Sequence, residues 1–219
     1  GCELQVYNVI TPGSPTYTAG VDVSGSLNSG TSSIEVKNLA VSGRYLYATT
    51  VGNTTACSST AGSAQGCELQ SYNLANPAAP AYVGGADASG STNSGTGTGT
   101  GWGLTVAGPY AYISKSGDAT NCNTGGDKAG CELQVWNISN PGSPAFAGGA
   151  DASGSTNAGT GNNTALFSAL TGRYLYQVKN GDATACSASA GSAIGCELQA
   201  YDVSGMEVGA ITSYSLAAS

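Results

Sequence analysis

The chain reads as all-β, a run of tandem four-stranded antiparallel blades forming a β-propeller or a partial, open one, and three observations predict it. The string Gly-Cys-Glu-Leu-Gln starts at Gly1, Gly66, Gly130 and Gly195, at spacings of 65, 64 and 65 residues, which marks one structural unit copied in tandem. Each copy carries short β-rich runs separated by Gly, Pro, Ser and Asn, the punctuation of strands and tight turns. With 34 Gly, 12 Tyr and only 9% charged residues, almost nothing reads as helix. Hydrophobic residues make up 40%, more than a disordered chain of this polarity carries, so a packed core is expected.

Within a unit, the first run follows the cysteine, over residues 2–10, 67–74, 131–138 and 196–203. After a Pro-bounded turn in the first three copies, a second short strand is expected at 15–20, 80–85 and 144–149. A Gly/Ser/Thr/Asn stretch leads to two further strands, 34–41 with 44–51, 103–107 with 110–114, and 164–170 with 173–178. Ser42-Gly43, Gly108-Pro109 and Thr171-Gly172 join each pair, and such turns suit antiparallel hairpins. Four strands in a meander, copied in tandem, make propeller blades. The expected division is a half blade with its linker over 1–33, then blades over 34–98, 99–160 and 161–219, about 3.5 blades in one continuous repeat domain. The chain begins at Gly1-Cys2 without methionine or signal peptide, so a fragment of a longer protein is expected. A closed ring takes roughly 4–8 blades, so the expected partners are further blades of the same protein or further copies of itself.

The segments Leu69-Gln-Ser-Tyr-Asn-Leu-Ala-Asn-Pro-Ala-Ala-Pro80 and Leu133-Gln-Val-Trp-Asn-Ile-Ser-Asn-Pro-Gly-Ser-Pro144 resemble the strand and Asp-x-Ser-Asn-Pro-x-x-Pro turn of the bacterial and archaeal LVIVD-repeat β-propellers. Val41-Ser-Gly-Arg-Tyr-Leu-Tyr-Ala48 and Val106-Ala-Gly-Pro-Tyr-Ala-Tyr-Ile113 are similar to that family's hairpin. The resemblance implies propeller blades in a surface repeat protein. Asn8, Asn73 and Asn137 stand where the family has Asp, which Asp202 keeps; either side chain can bond the backbone of the following turn.

Cys57 with Cys67, Cys122 with Cys131 and Cys186 with Cys196 bracket equivalent loops, nine or ten positions apart, a spacing that suits three local disulfides. The rival reading is a metal site, but the thiols come as isolated pairs, without His and without Cys-x-x-Cys spacing. Disulfides imply an oxidising, extracellular or cell-surface location. Cys2 is left unpaired.

A net charge of −7 without a basic cluster argues against nucleic acid as partner, and no apolar run reaches the roughly 20 residues of a membrane span. The absence of histidine removes the usual general base and the Ser-His-Asp triad. Glu3, Glu68, Glu132 and Glu197 sit at matching places beside the cysteines, as do Asp22, Asp87 and Asp151 after the second strand. Such repetition spreads equivalent acids through the structure rather than converging two in one pocket. Asp22, Asp87 and Asp151 also open loops faintly like calcium sites, but one carboxylate per loop falls short, so no cofactor is expected, with calcium as the one candidate. The paired tyrosines Tyr45/Tyr47, Tyr110/Tyr112 and Tyr174/Tyr176 each share a strand face, which suits packing between blades or a sugar-stacking surface. Trp102, placed in a Gly-rich loop without counterpart in other copies, is the candidate ligand contact. Asn53, Asn137 and Asn162 match the N-glycosylation triplet.

The function expected from these features is a non-catalytic, structural and adhesive extracellular repeat module of a surface protein or filament. A glycan- or protein-binding, lectin-like propeller module is the alternative, with glycans as partners, and a segment of a secreted enzyme is the third reading.

Overall fold

A computed structural model describes residues 2–23, 35–51, 57, 66–88, 101–116, 122, 130–152, 165–180, 186, 195–204 and 212–214. These residues form fourteen strands: β1 (Leu4–Asn8), β2 (Thr16–Val21), β3 (Val36–Ser42), β4 (Tyr45–Thr50), β5 (Leu69–Asn73), β6 (Ala81–Ala86), β7 (Gly101–Ala107), β8 (Tyr110–Lys115), β9 (Leu133–Asn137), β10 (Ala145–Ala150), β11 (Ala165–Thr171), β12 (Tyr174–Lys179), β13 (Leu198–Asp202) and β14 (Thr212–Tyr214). No α-helix occurs among the described residues, and no helix is long and apolar enough to cross a membrane. Strands β1 and β2 pair as a two-stranded sheet, followed by three four-stranded antiparallel meanders, β3 to β6, β7 to β10 and β11 to β14. This is the all-β, blade-by-blade architecture of a propeller.

Local chemistry explains the meander. Gly43, Gly108 and Gly172 take φ of 58°, 55° and 57° at the three hairpin tips, a left-handed conformation that glycine adopts without a Cβ clash. The strand leaving the cysteine ends in an Asx turn each time. The side-chain oxygen of Asn8, Asn73, Asn137 and Asp202 accepts the backbone N–H two residues on, at 2.9, 2.8, 2.9 and 3.0 Å. A bulge recurs between first and second strands of these hairpins, at Val6/Tyr7, Ser71/Tyr72 and Phe146/Gly148, and sharpens the local twist.

The sheets stack face to face, with the first strand β7 of the middle sheet against both β3 and β11. Close approach there requires a missing side chain. A methyl carbon at Gly103 of β7 would lie 2.7 Å from the Leu166 carbonyl oxygen and 2.9 Å from the Phe167 Cα of β11. At the periphery one at Gly84 of β6 would lie 2.2 Å from the Gly142 carbonyl oxygen of the next sheet.

Three apolar layers fill the spaces between successive sheets. Leu4 and Val23 meet Leu46, Ala48 and Tyr72. Tyr47, Leu69 and Ala86 meet Leu104, Ile113 and Trp136. Tyr112, Leu133 and Val135 meet Leu175, Tyr201 and Val203. Tyr45 and Tyr110 pack at the margins of the second and third layers, so in the first two whole sheets the tyrosine pairs serve contact between sheets.

Candidate functional site

Three of the recurring glutamates tie their sheet to the linker that follows it, and two of the recurring glutamines reach the linker of the sheet before. The Glu68 carboxylate accepts the Ala88 N–H at 2.7 Å, and Glu132 accepts that of Ala152 at 2.7 Å. Glu3 does the same for Val23 at 2.9 Å. On the other side of the same residue, the Ala88 carbonyl accepts from Gln134 Nε2 at 2.7 Å, and the Ala152 carbonyl from Gln199 Nε2 at 2.9 Å and Lys179 Nζ at 3.2 Å. Each glutamine is oriented by the aromatic two residues on. Trp136 Nε1 donates to Gln134 Oε1 at 3.1 Å, and the Tyr72 and Tyr201 hydroxyls donate to Gln70 and Gln199.

The Glu-Leu-Gln-x-aromatic string is therefore a joint between sheets, and the recurring glutamates have a structural part. Burial holds the phenols of Tyr72 and Tyr201 well above the usual tyrosine range, and pushes that of Tyr82 up to about 12.

The three disulfides are formed between Cys57 and Cys67, Cys122 and Cys131, and Cys186 and Cys196. They place the chain in an oxidising, extracytoplasmic compartment. Cys2 is free and exposed. Asp22, Asp87 and Asp151 follow β2, β6 and β10 in three different sheets, while the rest of their loops, 24–34, 89–100 and 153–164, lie outside the described residues. Among the described residues no three His, Cys, Asp or Glu side chains gather as metal ligands. Asn53 and Asn162 also lie outside the described residues. Asn137 is half-buried at the end of β9, its side chain engaged with the Ser139 N–H.

The place where chemistry departs from the repeat is on the inner strands. Trp102 does not stand in a loop: it is the second residue of β7, where glycine-rich sequence serves close packing rather than a turn. Its indole N–H donates to Ser116 Oγ at 3.0 Å, and its ring receives the Lys37 ammonium of β3 at 4.6 Å from the centroid. Lys37 also pairs with Glu35. In hairpin register Lys37, Trp102 and Leu166 are equivalent, so neither the cation nor the indole is something each blade needs.

The ion pair, exposed on its Glu35 side, contributes roughly 0–1 kcal/mol, and the cation–π contact of the largely buried Lys37 contributes up to roughly 2 kcal/mol. The Glu35 side chain is 56% exposed and that of Lys37 19%. Together the three residues offer a donor-rich cation, an acceptor and an aromatic ring, a set suited to hydroxyl and carbonyl groups of a small polar molecule. Lys37 was not singled out by sequence reasoning. Superposing the copies position by position would have found it, as a charge where the others have Trp and Leu.

No family model and no curated protein matches the chain. Among solved structures it is similar to the periplasmic gluconolactonase of Pseudomonas aeruginosa, with a TM-score of 0.57 at 16% sequence identity, over 95% of this chain and 48% of that one. The chain thus spans about half the length of that protein. The likeness concerns the fold, and it overturns the expectation of a structural, adhesive module with a lectin-like alternative. Tandem blades and missing histidines were read as marks of a passive repeat, whereas the same architecture carries an enzyme, and fold alone does not decide function. The ground for excluding catalysis goes with it.

Proposed function

We propose that the chain is part of an extracytoplasmic propeller enzyme acting on a small polyhydroxylated substrate of the sugar-lactone class. The observation that carries this reading is the Glu35, Lys37 and Trp102 cluster, which breaks the repeat on the inner strands. The gluconolactonase of the same fold supplies the substrate class, and the disulfides support a periplasmic or cell-exterior site of action.

In lactone hydrolysis a water adds to the ring carbonyl carbon, the ring C–O bond breaks, and the ring oxygen leaves with a proton as the hydroxyl of a hydroxy acid. The Lys37 ammonium suits donation to the carbonyl oxygen, where negative charge accumulates. The Glu35 carboxylate suits acceptance of the proton from the attacking water, and Trp102 holds the ammonium in place against its ring.

The test is proton release from glucono-lactone, followed at constant pH with the intact chain. Lys37→Met removes the donor and keeps the stem, and it is expected to lower kcat by about 10²-fold or more with an unchanged β-type circular dichroism spectrum. Hydrolysis no faster than in buffer, or a Lys37→Met variant as active as the parent, would sink the reading.

A further inference from the structure

Two of the three disulfides are housed alike and differ in one group. Their inner sulfurs, on Cys67 and Cys131, belong to fully buried residues. Each lies over a glycine of the outer strand. A Cβ at Gly85 of β6 would come 2.9 Å from Cys67 Sγ, and one at Gly149 of β10 would come 2.9 Å from Cys131 Sγ. Tyr82 and Phe146 hold the same register, opposite Tyr72 and Trp136, each ring edge-on to its partner at 5.6 and 5.5 Å between centroids. The bridges span sequence separations of 10 and 9. What remains different is a hydroxyl. The Tyr82 O–H donates to Cys67 Sγ at 3.5 Å, whereas the Phe146 ring has no such group to offer Cys131. Sulfur in a neutral bridge is a weak acceptor and a thiolate a far stronger one, so this hydrogen bond favours the opened bridge over the closed one. Burial pushes the Tyr82 phenol up to about 12, which keeps its proton in place throughout the range in which thiols exchange.

We propose that the Cys57–Cys67 bridge is a site of reversible thiol–disulfide exchange with a dithiol, set apart from the Cys122–Cys131 bridge by the Tyr82 hydroxyl. Cys67 Sγ is shielded, so the thiolate of the dithiol attacks Cys57 Sγ. The sulfur–sulfur bond breaks and its electron pair goes to Cys67 Sγ, which leaves as a thiolate held by the Tyr82 O–H; a stabilised leaving thiolate departs faster. The second sulfur of the dithiol then attacks the mixed disulfide, frees Cys57 and closes a cyclic disulfide. The dithiol is oxidised by two electrons, the bridge is reduced by two, and the two protons of the dithiol end on Cys57 and Cys67. The exchange site is independent of the catalytic reading and stands or falls apart from it.

The probe is dithiothreitol. The intact chain is equilibrated at a fixed, mildly alkaline pH with graded ratios of reduced to oxidised dithiothreitol, quenched with acid, and alkylated with light and heavy iodoacetamide before and after full reduction. Mass spectrometry of the peptides then reads each bridge separately. The Cys57–Cys67 bridge is expected to be half open at a ratio about tenfold lower than the Cys122–Cys131 bridge. Tyr82→Phe should bring the first bridge to the ratio of the second, and Phe146→Tyr should bring the second toward the first. Phe146 shows that this place accepts a phenyl ring, so Tyr82→Phe should keep the β-type circular dichroism spectrum. Three results would overturn the proposal: both bridges opening at one ratio, the Cys122–Cys131 bridge opening first, or a Cys57–Cys67 bridge indifferent to Tyr82→Phe.

Discussion

Ala88 has one side-chain carbon, yet its N–H is held by Glu68 of its own sheet and its carbonyl by Gln134 of the next. Gln134 is fully buried and also accepts from Trp136. Gln134→Ala strands both partners, and leaving buried polar groups unsatisfied costs about 1–3 kcal/mol each. A urea midpoint lowered by an amount in that range is the expected result; an unchanged midpoint would mean the joint contributes nothing. The buried tyrosines make a second prediction at this scale. Burial raises the folded-state value of Tyr82 to about 12 from an ordinary value of 10.0, so the neutral phenol is the form folding favours. That contribution is present in full below pH 10 and is lost as pH rises toward 12. Denaturant midpoints measured from pH 9 to 12 should fall, and the fall should be shallower in Tyr82→Phe. Neither Ala88 nor Lys37 could be found from local pattern: an alanine in a polar stretch carries no chemical signal, and the Lys37 to Trp102 contact joins residues 65 positions apart.

Among the elements, hairpins were legible because glycine turns and alternating apolar residues report local geometry. Their ends moved by one or two residues, as with β7, which begins at Gly101 rather than Gly103. Sequence alone does not distinguish a glycine that turns the chain from one that lets two strands touch, and substitution would. Gly108→Ala places an L-residue at φ 55° with open space around its methyl, costing about 1–2 kcal/mol through backbone strain. Gly103→Ala instead meets the β11 backbone, an overpacking expected to cost about 1–3 kcal/mol and to push the inner strands apart. Chemical shifts in Leu166 and Phe167 should change in Gly103→Ala and not in Gly108→Ala; equal changes in both would argue against the close approach of β7 and β11.

For the molecule as a whole, the repeat length and the cysteine spacing made the blade architecture and the bonded pairs legible, since both are one-dimensional properties of the chain. The contact of Lys37 with Trp102 was not, because it joins two sheets, although Trp102 by itself stood out as lacking a counterpart in the other copies. The disulfides sit within units rather than between them, each closing a separation of nine or ten residues, a stabilisation of roughly 2–3 kcal/mol apiece on the chain-entropy model. Reduction should therefore lower the thermal midpoint while the β-type circular dichroism below it persists. Collapse of the β signal at room temperature on reduction would show that the sulfur bridges, and not the layers between sheets, hold the fold.

The grip on Ala88 and Ala152 from two directions has a consequence for how such a protein can grow. The unit of Glu132 and Gln134 brings a carboxylate for the linker behind it and an amide for the linker before it, so a unit of this kind can follow another like it. Length can change by duplication or loss of an entire module at negligible penalty to the rest. Excision of a fraction of one leaves a carboxylate or an amide reaching for a peptide that is no longer there.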